Sequence, residues 1–88
     1  MKIQKDFILR EIAGDFVLVP TGNTAMEFNG LIAINEIGSF LWKNLQSEIT
    51  REQLVQKVLE EYEIDSETVK KDVDQFLSKL VNAGIVAE

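Results

Sequence analysis

Apolar residues change their spacing once along this chain, near Asn35, and that change constrains the fold more than any other feature. Before it, Phe7–Ile12 and Phe16–Pro20 alternate at every second position, as half-buried strands do. After it, apolar positions recur every three to four residues in three blocks, each preceded by a helix-capping residue. An alternating first third and a helical remainder describe a small α+β domain: a three-stranded antiparallel sheet followed by three helices, of winged-helix type. At 88 residues the chain is expected to form a single domain over positions 1–88.

Ala13-Gly14-Asp15 separates the first two strands. Gly14-Asp15 at the centre of a tight turn suits a type II′ hairpin, a register that pairs Ile12 with Val17 and Arg10 with Val19. One face then carries Phe7, Leu9, Phe16 and Leu18, with Glu11 near its margin. The other carries Ile8, Ile12, Val17 and Val19 around Arg10. The first face is bulkier and is expected to face the core. Pro20 closes the second strand because it cannot donate to a ladder. Thr21–Thr24 reads as a loop. Asn29-Gly30 then leads into Leu31–Ile34, a third strand whose four apolar residues do not alternate with polar ones. Both of its faces should therefore meet something dry, either the core or a bound partner.

The helices announce their ends. Asn35 caps the first, which sets Ile37, Phe40, Leu41 and Leu45 at helical spacing, with Trp42 beside them as a core anchor. Thr50 and Gln53 form a capping box for the second, and Ile49 and Leu54 sit where a hydrophobic staple needs them. Its stripe is Leu54, Val55, Val58, Leu59 and Tyr62. Asp65 caps the third, whose stripe is Val69, Val73, Phe76, Leu77, Leu80 and Val81. Gly84 follows as the left-handed residue of a Schellman ending, with Ile85 placed to touch Leu80.

Chemistry is largely excluded by what the chain lacks. It has no His and no Cys, so imidazole bases, thiol nucleophiles and the usual soft metal ligands are missing. The carboxylates Glu60, Glu61 and Glu63, and Asp72 with Asp74, read as solvated helix faces. Asp65-Ser66 resembles the attachment site of acyl carriers, but Glu67 stands where such carriers have Leu, and helix capping accounts for both residues. No catalytic residue, metal site or cofactor is expected. With 9 basic against 15 acidic residues, a net charge of −6, the composition argues against nucleic acid as a partner. No apolar run is long enough to span a membrane, and charges at Lys2, Lys5 and Asp6 occupy the place of a signal peptide's apolar stretch. A cytoplasmic location is expected.

One ordered set of motifs carries a resemblance. It comprises Leu31–Ile34, Asn35, Gly38-Ser39, Leu41-Trp42, Thr50 with Leu54, Ile64-Asp65, Asp72-Val73, Phe76-Leu77, Leu80 and Gly84-Ile85. In this order and spacing, from about Phe7 to Val86, the chain resembles the pyrroloquinoline quinone biosynthesis protein D family, the PqqD-like peptide-recognition elements. The resemblance implies a non-enzymatic chaperone that binds the leader segment of a ribosomally synthesised precursor peptide. The leader would add as a strand to the third-strand edge beside the third helix. The bound precursor would be presented to a modifying enzyme, a radical S-adenosylmethionine protein or a leader protease. The motifs themselves serve the fold; they name no pathway.

Residues and resemblance thus point to one edge. The expected peptide-binding residues are Leu31, Ile32, Ala33 and Ile34 on the strand, with Lys71, Asp74, Gln75 and Ser78 on the rim of the third helix. An open apolar edge also invites a homodimer through that strand. The alternative is a winged-helix transcription regulator, which would need clustered basic residues on its recognition helix. Lys70, Lys71 and Lys79 are instead interleaved with Asp72 and Asp74.

Overall fold

The computed structural model describes residues 1–28 and 30–87. Its elements run β1 (Lys2–Ile3), β2 (Phe7–Ile12), β3 (Asp15–Pro20), α1 (Gly22–Glu27), β4 (Ile32–Ile34), α2 (Glu36–Asn44), α3 (Arg51–Glu61), α4 (Ser66–Asn82) and β5 (Val86–Ala87). β2, β3 and β4 form the three-stranded antiparallel sheet in that order, while β1 and β5 form a separate antiparallel pair. The α+β layout expected from the sequence is present, with one additional helix, α1, and the additional β1–β5 pair. Among the described residues no helix is long and apolar enough to cross a membrane.

The hairpin register differs from expectation. Ile12 pairs with Asp15, Arg10 with Val17 and Ile8 with Val19, so Ala13 and Gly14 make the turn. Both have positive φ, 53° and 85°, the backbone of a type I′ turn, whose twist matches that of the flanking strands. The shift is two residues, so the faces are preserved. Phe7 and Leu18 are buried, Leu9 and Phe16 half-buried, and Ile8 and Ile12 exposed.

The stretch from Thr21 to Thr24, expected as a loop, instead begins α1. Six residues make a marginal helix on propensity alone, and Thr21 makes no side-chain cap. Tertiary bonds hold it: Asp6 N–H donates to the buried Thr24 Oγ1 at 3.1 Å, and Thr21 N–H donates to the Asp6 carbonyl at 2.9 Å. Phe28, just after α1, meets Phe7 edge to face with centroids 5.3 Å apart. The Asn29-Gly30 turn lies partly outside the described residues.

The other helices begin where their caps require. Asn35 Oδ1 accepts from Gly38 N–H at 2.7 Å, Thr50 and Gln53 complete both bonds of the capping box, and Asp65 accepts from Thr68 N–H. α4 ends in the expected Schellman pair, Ile85 N–H to the Leu80 carbonyl and Gly84 N–H to that of Val81, with Gly84 at φ 73°. Leu41, Trp42, Leu45, Leu54, Val58, Val69, Val73, Leu80 and Ile85 fill the core against Leu18 and Phe7.

Candidate peptide-binding groove

β4 is an edge of the sheet, as β2 is on the other side, and the direction of its backbone groups follows from the hairpin. In a two-residue hairpin the flanking residues, here Ile12 and Asp15, exchange both ladder bonds. Alternation along β3 then turns the backbone of Phe16 and Leu18 toward β4, where they face Ile34 and Ile32. Val17↔Ala33 is accordingly a non-hydrogen-bonded pair. The Ala33 N–H and C=O therefore point away from the sheet, into the open edge.

That edge borders a groove of about 340 Å³ between β4, the start of α2 and one side of α4. Its floor is apolar: Ile34, Ile37, Leu41 and Phe76 surround the bare backbone of Gly38. Gly38 allows a close approach here. A Cβ at that position would lie 3.1 Å from Ile34 Cβ and 3.1 Å from Phe76 Cε1. The rim is polar, with Ala33 and Asn35 on one side and Asp72, Gln75 and Lys79 on the helix. Lys79 Nζ reaches across and donates to the Ala33 carbonyl at 3.4 Å, a long and exposed hydrogen bond. The ionisable groups of the lining are Asp72 and Lys79, and neither is in an ion pair among the described residues.

Of the residues expected at the site, the structure brings Ala33, Ile34 and Gln75 together in this lining. Ile32 lies in β4, half-buried toward the core face, and Leu31 just precedes the strand, 57 % exposed. Lys71, Asp74 and Ser78 are exposed but stand outside the lining, on the adjoining face of α4. Asp74 is instead committed to α3: the Arg51 guanidinium grips both of its oxygens, with Nη2 to Oδ2 at 3.0 Å. That guanidinium holds the Asp74 carboxyl below the usual range.

Sequence reasoning missed Asp72, Phe76 and Lys79. The apolar spacing places Phe76 wholly in the core, yet its ring serves core and groove together. Following the helix from Phe76 by four residues back and three forward reaches Asp72 and Lys79, so the signal was present in the spacing.

Among curated proteins none matches this chain. Two solved structures share its fold. One, described as TbiB1 in complex with the TbiA(beta) leader peptide, has TM-score 0.71 and 25 % identity, covering 100 % of both chains. The other, lasso peptide synthetase B1 complexed with the leader peptide, has TM-score 0.70 and 13 % identity, covering 99 % of this chain and 96 % of that one. Residues 15–86 match the family of coenzyme PQQ synthesis protein D, PqqD. The chain with this edge and groove is a member of the PqqD family.

Proposed function

We propose that this protein binds the leader segment of a ribosomally synthesised precursor peptide by strand addition to β4 and presents it to a modifying enzyme, performing no chemistry itself. The observation that carries this reading is the outward-facing backbone of Ala33 above an apolar groove. In such a mode main-chain bonds supply affinity and pockets for alternate side chains supply selectivity. The likeness to a protein solved with a leader peptide supports the same reading.

In this proposal Ile32, Ala33 and Ile34 supply the strand, Leu31 extends it, and Gln75, Phe76 and Lys79 form the facing wall. Lys71 and Ser78 are assigned to parts of the precursor or enzyme that run past the groove, and Asp74 would reach them only together with the Arg51 that holds it. The enzyme belongs to the radical S-adenosylmethionine or leader-protease class. Nothing in the comparisons supports the DNA-binding alternative.

The test is a titration of the isotope-labelled protein with the leader segment of a precursor peptide encoded beside it. Amide shifts centred on Ile32–Ile34 and Gln75–Lys79 are expected. Shifts confined to β2 and the Ala13–Gly14 turn would overturn the placement, and none at all would overturn the function.

A further inference from the structure

A strand that adds to β4 must bring an N–H to the Ala33 carbonyl. In the peptide-free protein the Lys79 ammonium already donates to that acceptor, at 3.4 Å. A lysine on an exposed edge also discourages pairing with unintended strands. The bond is long and solvent-exposed, so displacing it costs little. Displacement leaves the ammonium on its flexible four-carbon stem directly beside the incoming segment.

The displaced charge finds no ready partner on the protein. Among the described residues Lys79 enters no ion pair. The other ionisable residue of the lining, Asp72, lies two turns earlier on α4, about 10 Å along the axis. Gln75, between them on the rim, is neutral. The rest of the protein, at net charge −6, disfavours an acidic segment at long range. Asp72 disfavours a carboxylate at its own end of the groove.

We propose that Lys79 is both guard and selector of this edge: it covers the Ala33 carbonyl until a strand arrives, then pairs with an Asp or Glu of that strand. The inference rests on the peptide-binding reading and adds the chemistry of the segment. The groove takes an extended peptide with apolar side chains over Phe76 and Gly38 and one acidic side chain at the Lys79 end. An acidic residue is selected there and disfavoured beside Asp72.

The experiment selects displayed random peptides of about twelve residues, long enough for one added strand, on the immobilised full chain. Wild type, Lys79→Met and Lys79→Arg are compared. Lys79 is exposed, and unchanged amide spectra establish that both variants are folded. Wild type and Lys79→Arg should enrich Asp or Glu at one position of an otherwise apolar, alternating pattern. Lys79→Met should keep the apolar pattern and lose the acidic position. For one selected peptide, exchanging that Glu for Gln should weaken binding to wild type about three- to tenfold and to Lys79→Met less than about twofold. Peptides enriched without an acidic position, or with one that survives in Lys79→Met, overturn this inference and leave peptide recognition standing. Failure of all three proteins to retain any extended peptide overturns the peptide-binding reading and this inference with it.

Discussion

Gly38 and Phe76 are packed so closely that a methyl group at Gly38 would sit 3.1 Å from the ring, which would have to give by a few tenths of an ångström. Gly38→Ala gains about 0.8–1.0 kcal/mol in helix propensity. Against this stands an overpacking cost of about 1–3 kcal/mol, because both neighbours are themselves held, Phe76 by the core and Ile34 by the sheet. The variant should be less stable than wild type by about 1 kcal/mol and its groove narrower. Thermal denaturation and peptide titration would register the two effects separately.

The edge predicts a separation of folding from binding at Ala33. Its N–H faces outward, so Ala33→Pro removes no bond to β3 but removes the donor an added strand needs. Circular dichroism should be unchanged while leader affinity falls at least about tenfold, the loss of roughly one backbone hydrogen bond together with the obstruction of the ring. Full affinity in the folded variant would place the peptide elsewhere.

The same unpaired edge predicts self-association. Two copies can satisfy their outward Ala33 groups by pairing β4 with β4, as far as Lys79 allows. Light scattering should show weak, concentration-dependent dimers that added leader peptide dissociates, and more dimer in Lys79→Met than in wild type. A strict monomer at high concentration in both would end this idea.

Acid should destabilise the fold through three carboxylates. Arg51 holds Asp74 below the ordinary range, the Thr68 hydroxyl and N–H hold Asp65 there, and the Met1 terminal ammonium holds Glu48 there. A carboxyl lowered in the folded state stabilises it above the unfolded value and loses that contribution as pH falls through the folded one. Stability should therefore be insensitive to these groups above about pH 5 and decline below about pH 4. Asp65→Asn or Asp74→Asn should lower the melting temperature at pH 7 and flatten its decline in acid.

Local chemistry made much of this fold legible. Each cap among Asn35, Thr50 and Asp65 needs only its own side chain and a backbone N–H a few residues on, so the helix starts were readable. The same holds for Gly84, whose positive φ and two backbone bonds are set within one turn. The hairpin register was less legible. Gly14-Asp15 and Ala13-Gly14 each make an acceptable turn, and choosing the second places a positive φ on Ala13, which the flanking strand twist imposes. α1 was hidden because its support is tertiary, through Asp6 and Phe7. On α4 the core stripe was clear, but the strip of the helix beside it that faces the groove depends on where β4 and α2 pass. Hence Gln75 was reached and Lys79 was not.

The ladder of β1 with β5 joins the two stretches farthest apart along the chain, Lys2 to Ala87 and Ile3 to Val86. Val86 is delivered to its place by the turn that ends α4, and this ladder closes the largest loop, so it is expected to form after what lies between is organised. Contacts made after the folding barrier slow unfolding without hastening folding. β1 is therefore predicted to act on the lifetime of the folded state. Ile3→Ala should steepen neither arm of a chevron but raise the unfolding arm alone.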